Sequence, residues 1–189
     1  RYCSYGEIFK HSLILKTNLF KYLNNNSSNI FNLKSPFIEK AIFESCKIKK
    51  KVIQKDEKEK SMRKILNLGH TFAHAFEATL GYSKKLNHGE AVILGIISAL
   101  KFSLYIRLIK FKDYKKIIKH IVNNKLPSDI KKYFSSKDLK KILIFMSKDK
   151  KNISKKINLI LLKKIGSAEI NNEYSKLIIK KFLKKELAY

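Results

Sequence analysis

The feature that most constrains the fold is the stretch from Asn67 to Tyr82, which reads NLGHTFAHAFEATLGY and is followed by NHGEAV from residue 87. Residues 72–80 are typical of a helix, and His70 and His74, four residues apart, then project from one face about one turn apart. His88 follows a short glycine-containing connection and precedes a second segment of helical period at 91–105. The pattern predicts a tight pair of helices that gathers three of the five histidines.

These histidines are candidate metal ligands. Neutral imidazole is the commonest protein ligand for zinc, and a catalytic site uses about three protein ligands and leaves a position open. A histidine pair four residues apart is weak evidence alone, because a histidine on a helix face is often a core residue. Polar residues such as Asn67 and Glu90 nevertheless crowd the histidines, and polar clusters at element ends are where sites are built. Spacing alone favours His70 and His74 as the first two ligands.

The spacing of apolar residues elsewhere predicts a mainly α fold with one small β-hairpin. Helices are expected at residues 8–23, 36–52, 72–80, 91–105, 111–122, 136–146 and 174–187. The asparagine-rich run at 24–29 is expected to end the first helix, and Ser35-Pro36 to begin the second. Residues 157–162 are the best strand candidate, continuing as a hairpin into 168–170. Residues 1–189 are predicted to form one helical domain.

The formal net charge of +27 does not by itself indicate a nucleic-acid site. The lysines are spread along every segment without a dense arm or a helix-turn-helix, and they accompany abundant Ile, Asn, Phe and Tyr, whose codons are also rich in A and T. We expect only weak, nonspecific polyanion affinity. No window has the ~20 apolar residues of a spanning helix, and Cys3 and Cys46 form no CxxC pattern. The expected location is the cytoplasm, with no membrane partner.

Five segments of the chain resemble the 3-dehydroquinate synthase family. The family pattern is close to LNxGHTxGHAxE followed by LHGEAV, where this chain reads LNLGHTFAHAFE from residue 66 and NHGEAV from residue 87. SYGEIFKHSLI at 4–14 is similar to SGxAEVIKYGLI, and KIKKKVIQKDEKEKSMR at 47–63 is similar to KAxVVxxDERExGxR. MSKDKK and INLILLKKIG, between residues 146 and 166, are similar to MxxDKK and IRxVLxxxIG. The resemblance implies the helical C-terminal domain of the dehydroquinate synthase-like fold.

The resemblance also implies a reaction and its cofactors. The family converts 3-deoxy-D-arabino-heptulosonate 7-phosphate to 3-dehydroquinate and phosphate in the shikimate pathway, using NAD and Zn²⁺ or Co²⁺. The chain begins at Arg1 and shows no glycine-rich phosphate turn after a strand. We therefore expect it to be the C-terminal half, with an NAD-binding N-terminal half in the same polypeptide or in trans and a homodimer as the full enzyme.

The resemblance assigns roles to individual residues. It implies Glu7, His70 and His88 as metal ligands, which replaces the pair favoured by spacing. His74 is then free for proton transfer, and Glu59 is a second proton-transfer group. The substrate-binding residues implied are Lys10, Lys49, Arg63, Asn67, His88 and one or both of Lys150 and Lys151. Ammonium and guanidinium groups at these positions suit a phosphorylated, carboxylated substrate.

Each assignment has a structural alternative. Glu59 and Arg63 are also spaced as a surface ion pair worth about 0.3 kcal/mol, His74 as a core histidine, and any one lysine as solvated surface. The chain departs from the family pattern at Ala73, where glycine is usual, at Gly6, where alanine is usual, and at residues 11–12. A methyl at Ala73 suits a helix but can crowd a bound substrate or cofactor.

Two other functions are compatible with these residues. Sugar phosphate cyclases acting on sedoheptulose 7-phosphate share the metal motif, and metal-dependent alcohol dehydrogenases share the fold. A catalytically incompetent copy would retain only packing and polyanion binding.

Overall fold

The computed structural model describes residues 2–56, 61–147 and 156–188. Its helices are α1 (Tyr2–Ile14), α2 (Leu19–Phe31), α3 (Phe37–Asp56), α4 (His70–Thr79), α5 (His88–Tyr105), α6 (Phe111–Asn123), α7 (Leu139–Met146) and α8 (Lys176–Leu187). Short 3-10 helices lie at Met62–Asn67, Ile130–Lys132 and Ser136–Asp138. Strands β1 (Lys156–Lys164) and β2 (Ser167–Ser175) pair antiparallel. The mainly α prediction with one hairpin is confirmed, although the hairpin extends beyond residues 157–170.

Helix α5 is the centre of the core. Every position from Ala91 to Leu100 is buried, and a helix that is apolar all round is typical of a core helix. Helices α1 and α4 and strand β1 pack against it. Its first turn is fixed by a capping box, in which the Asn87 side chain accepts from the Glu90 N–H and the Glu90 carboxylate accepts from the Asn87 N–H, both at 3.0 Å. The backbone at His88, the first residue of α5, is therefore well defined.

Helices α4 and α5 approach most closely at two glycines. A Cβ on Gly95 would lie 2.4 Å from the carbonyl oxygen of Gly69 and 2.8 Å from the Ala73 Cβ. A Cβ on Gly69, whose φ is +78°, would lie 2.5 Å from the backbone nitrogen of Ile96. Glycine at both positions lets the backbones touch. The Ala73 methyl is buried in this contact with α5.

The predicted helix at residues 8–23 is wrong, because the chain divides there into α1 and α2. Leu15 leaves the helix to form an isolated β-bridge with Ser167. The carbonyl of Leu13 accepts a hydrogen bond from the Gly166 N–H at 2.8 Å. The end of α1 is thus set by the tip of a hairpin about 150 residues later in the chain, a tertiary contact that overrides local spacing.

The asparagine-rich run does not end a helix, as the composition predicted, but lies inside α2. Leu23 and Ile30, seven residues apart, are both buried, while the polar residues between them are exposed or half-buried. This apolar stripe is enough to keep the segment helical. Asn26 only bends the helix, with φ −125° and a side-chain hydrogen bond to the carbonyl of Tyr22.

The last predicted helix begins later than expected. Tyr174 pairs with Ile157 in the hairpin, and the Ser175 side chain accepts a hydrogen bond from the Ile178 N–H at 3.4 Å, so that α8 begins at Lys176. None of the helices formed by the described residues is both long and apolar enough to span a bilayer.

Candidate metal and substrate site

Side chains of α1 and the first residue of α4 meet around one cation. The Lys10 ammonium donates hydrogen bonds to both carboxylate oxygens of Glu7, at 2.8 and 2.9 Å, and to Nε2 of His70 at 3.2 Å. Lys10 is only 2% exposed. An ammonium can only donate, so Nε2 of His70 accepts and its ring proton is on Nδ1. A carboxylate and an imidazole lone pair therefore converge on a buried positive charge.

The pKa directions follow from this geometry. Burial favours the neutral form of Glu7, but the hydrogen bond and charge of Lys10 outweigh it and lower the pKa of Glu7 overall. Burial lowers the pKa of Lys10 more than Glu7 raises it. Burial, with the nearby Lys10 cation, lowers the pKa of His70 to about 4. His70 is thus a neutral imidazole at neutral pH, and the hydrogen bonds of Lys10 to both Glu7 oxygens are those of an ammonium with a carboxylate.

His88, the third ligand implied by the resemblance, is held from the other side. Its Nδ1 is 2.8 Å from Oε1 of Glu77 in α4, and its side chain is 55% exposed. The charge of His88 contributes to the lowered pKa of His70, so the two rings are within electrostatic reach. Because a carboxylate only accepts, Nδ1 carries a proton, and in the neutral ring Nε2 keeps a lone pair.

The donor set suits a divalent transition metal, although the ligands are not gathered as a finished site. One carboxylate and two imidazoles that can each offer an Nε2 lone pair, once Lys10 releases that of His70, are ligands that zinc and cobalt accept. The Lys10 ammonium, which Glu7 and His70 already bind, shows that this position stabilises a cation. Over the described ranges, however, no three His, Cys, Asp or Glu side chains are close enough together to hold a metal ion. The assignment of Glu7, His70 and His88 stays a prediction.

Two adjoining cavities border this cluster. One, of about 390 Å³, is lined by Glu7, Lys10, His11, Lys49, Arg63, Lys64, Leu66, Asn67 and His70. It therefore brings together the described residues to which the resemblance assigns substrate or metal binding, with the exception of His88. Lys49 and Arg63 are exposed cations at its rim, and Lys49 is close enough to Lys10 to lower its pKa. Such a cavity suits an anionic ligand.

His74 lies at the second cavity, of about 480 Å³, whose lining also includes Asn67 and His70. Its ring is 5.3 Å from the His70 ring, edge to face, and the residue is exposed. The alternative of a core histidine is therefore wrong. The position of His74, beside the cluster but without a bond to Lys10, suits a group that exchanges protons with a ligand in the cavity.

Three residues implied by the resemblance, Glu59, Lys150 and Lys151, lie outside the described residues. The carboxylate of Asp56 accepts hydrogen bonds from the backbone N–H groups of Ser61 and Arg63, both at 3.0 Å. The backbone at Arg63 is thus tied to the last residue of α3.

Sequence reasoning assigned no role to two residues that contact the predicted ligands. His11 is buried, with Nδ1 2.6 Å from the Ser45 hydroxyl and Nε2 3.9 Å from a Glu7 oxygen. Burial lowers the pKa of His11 to about 4, so it is neutral beside Glu7. Glu77 is the other such residue. A single acid among Ala75, Phe76 and Ala78 was the available signal, since acidic residues are seldom buried without a partner.

Comparison with known proteins places the sequence of the chain among its relatives. Residues 4–152 match the family model described as 3-dehydroquinate synthase C-terminal. The chain is 57% identical over 185 residues to a 3-dehydroquinate synthase of Pelagibacter ubique, covering 98% of the chain and 50% of the relative. It is 37% identical over 177 residues to a 3-dehydroquinate synthase of Thermoanaerobacter pseudethanolicus, covering 93% of the chain and 48% of the relative. The chain thus spans about half the length of these curated relatives.

Solved structures share the fold at lower identity. A 2-epi-5-epi-valiolone synthase from Streptomyces hygroscopicus, with NAD⁺ and Zn²⁺ bound, superimposes with a TM-score of 0.77 at 17% identity, over 96% of this chain and 49% of its own. A 2-deoxy-scyllo-inosose synthase complexed with carbaglucose-6-phosphate, NAD⁺ and Co²⁺ gives a TM-score of 0.75 at 24% identity, over 97% and 51%. These similarities establish the architecture.

Proposed function

The chain belongs to the 3-dehydroquinate synthase C-terminal family, and we propose that it is the metal- and substrate-binding half of an enzyme that converts 3-deoxy-D-arabino-heptulosonate 7-phosphate to 3-dehydroquinate and phosphate. The observation that carries the proposal is the convergence of Glu7 and His70 on a buried cation beside a cavity lined by Lys49, Arg63 and Asn67. The same cavity thus offers a cation site and an anion-binding rim.

The cofactors would supply chemistry that side chains lack. Zn²⁺ or Co²⁺, held by Glu7, His70 and His88, would orient and polarise substrate hydroxyls, and NAD, held mainly by an N-terminal half, would accept and return a hydride. Lys49 and Arg63 hold the phosphate and carboxylate of the substrate, each by charge-assisted hydrogen bonds.

His74 and Asn67 act on the substrate directly in this proposal. Asn67 is exposed in both cavities and donates or accepts a hydrogen bond to a substrate hydroxyl. His74 takes a proton on a ring nitrogen and returns it, because an imidazole nitrogen can both accept and donate a proton. Its exposure keeps it in contact with solvent and ligand, unlike the buried His11 and His120.

Phosphate release by a fusion of the chain with the other half of a relative tests the proposal. The chain is fused to the half of the Pelagibacter ubique relative that it does not span, and phosphate release is measured with NAD and Zn²⁺. We expect turnover of the heptulosonate phosphate and none of sedoheptulose 7-phosphate. His74→Asn should lower kcat about 10²- to 10⁴-fold.

The neighbouring lysines of α3 provide a matched pair of variants. Lys49→Met should raise KM because Lys49 lines the cavity, whereas Lys50→Met, an equally exposed lysine outside its lining, should leave KM unchanged. Turnover of sedoheptulose 7-phosphate alone would assign the chain to a related cyclase. A fusion that binds NAD and Zn²⁺ but releases no phosphate would indicate an incompetent copy.

A further inference from the structure

The carboxylate of Glu77 has a partner that the proposed function does not explain. Glu77 is 8% exposed in the last turn of α4, among apolar neighbours in the sequence. Its Oε1 lies 2.8 Å from Nδ1 of His88, the first residue of α5. Within residues 2–56, 61–147 and 156–188, His88 is the one hydrogen-bond partner found for this carboxylate. A buried carboxylate is costly without a partner, so its contact with a largely exposed ring needs a reason.

The contact decides which nitrogen of His88 faces outward. A carboxylate accepts and does not donate, so Nδ1 of His88 carries a proton, and in the neutral ring Nε2 keeps its lone pair. A histidine that binds a metal through one ring nitrogen commonly donates the other N–H to a carboxylate, which fixes the tautomer and the ring plane. The pair of Glu77 and His88 has this arrangement on the ring that the resemblance implies as a ligand.

The same helix that presents His70 also presents Glu77. The two residues are seven positions apart, which is about two turns, so they lie on one face of α4. That helix is held against α5 by the close contact of Gly69 with Gly95. A ligand from α4 and the ring orientation of a ligand from α5 are therefore both set by α4.

We propose that Glu77 is a positioning residue, which holds His88 in the Nδ1–H tautomer with Nε2 available to bind a divalent cation together with Glu7 and His70. This inference rests on the proposed function, because it takes His88 as a ligand. Glu77 is then necessary for full metal affinity, although its side chain touches neither metal nor substrate.

The tautomer can be measured without any metal. In ¹⁵N-labelled 189-residue chain, long-range ¹H–¹⁵N correlation spectra distinguish an Nδ1–H ring from an Nε2–H ring. We expect Nδ1–H at His88 in the wild type and in Glu77→Gln, whose amide oxygen still accepts the hydrogen bond. Glu77→Ala should lose this preference. An Nε2–H ring in the wild type would overturn the proposal.

Metal affinity is measured with Co²⁺ alone, by its visible absorption. Removing an outer hydrogen-bond partner of a metal-bound histidine costs about 10- to 100-fold in affinity, and we expect this loss in Glu77→Ala and a smaller one in Glu77→Gln. The control is Glu90→Gln, which removes a nearby acid but keeps the cap of α5, and should bind as the wild type does.

The outcomes separate the two claims. Equal Co²⁺ affinity of Glu77→Ala and wild type, with both folded by circular dichroism, would overturn the positioning role and leave the proposed function standing. Failure of the wild type itself to bind Co²⁺, even when fused to the N-terminal half, would refute the metal site, and with it the cation-binding part of this inference. If Glu77→Ala proves poorly stable, Glu77→Gln still tests the positioning role, because this variant keeps the buried polar contact with His88.

Discussion

Replacing Gly95 with alanine tests whether the contact between α4 and α5 sets the geometry of the candidate site. The new Cβ would lie 2.4 Å from the Gly69 carbonyl oxygen and 2.8 Å from both the backbone nitrogen and the Cβ of Ala73. Two of these three atoms belong to the backbone, so no side chain can rotate away to relieve the contact. The start of α4, which carries His70, must shift relative to α5, which carries His88.

The expected loss of stability follows from two opposing effects. Overpacking a core costs about 1–3 kcal/mol, and contact with backbone places Gly95→Ala near the upper end of that range. Alanine favours a helix over glycine by about 1 kcal/mol. The net destabilisation of about 2 kcal/mol should lower the Tm of a chain of this size by about 4–8 °C.

Thermal unfolding followed by circular dichroism measures the effect, and Gly6→Ala in α1 is the matched control. Its Cβ would meet Val92 Cγ1 at 3.3 Å, a side-chain atom that can give way, while the gain in helix propensity is the same. We expect Gly6→Ala to equal or exceed the wild type in Tm. If Gly95→Ala unfolds no earlier than the wild type, or if both variants are equally destabilised, the reasoning from the glycine contact is refuted.

Two further predictions concern charge. Lys10→Met should bind Co²⁺ about tenfold more tightly than the wild type, because an ammonium close to a divalent ion costs at least about 1 kcal/mol even in a water-like dielectric. A Co²⁺ titration measures the affinity, with Lys50→Met as the control. Equal affinities of Lys10→Met and the wild type would contradict the prediction. Burial lowers the pKa of His120 to about 4. As pH falls from about 6.5 to about 4, this residue therefore binds a proton in the unfolded chain but not in the folded one. The free energy of unfolding should fall by up to about 1.4 kcal/mol per pH unit because of this residue. Urea unfolding between about pH 7 and about pH 5 should show a shallower decline for His120→Gln, and an equal decline would remove His120 as the cause.

The spacing of apolar residues predicted those helices whose ends are determined by residues nearby in the sequence. The segment predicted at 111–122 is α6, Phe111–Asn123, and the segment predicted at 72–80 lies within two residues of α4 at each end. The break between α1 and α2 was missed because Leu15 pairs with Ser167 at the far end of the sequence. No local pattern contains that information.

The candidate site likewise combines residues that local spacing can relate with residues that only the fold brings together. Spacing within one helix related His70 to His74 but had no means of relating either to Glu7, which is 63 positions away from His70 in the chain. The resemblance supplied Glu7, and the structure brings it to His70 through Lys10. Glu77 was missed because a buried acid is informative only when its partner is known, and that partner lies on the next helix.

If Glu7 and His70 bind a metal as proposed, the position of Lys10 would link metal binding to substrate binding. Its three N–H donors have three acceptors, the two oxygens of Glu7 and Nε2 of His70. Every donor is therefore used, and Lys10 can hold a substrate anion, as the resemblance implies, only after it leaves these acceptors. A divalent cation needs the same lone pairs and repels the ammonium, so its arrival would turn Lys10 toward the cavity that Lys49 and Arg63 line. The wild-type chain should therefore bind an anion such as inorganic phosphate more tightly in the presence of Co²⁺ than in its absence. The increase should be smaller in Lys10→Met, in which only the direct attraction between Co²⁺ and phosphate acts.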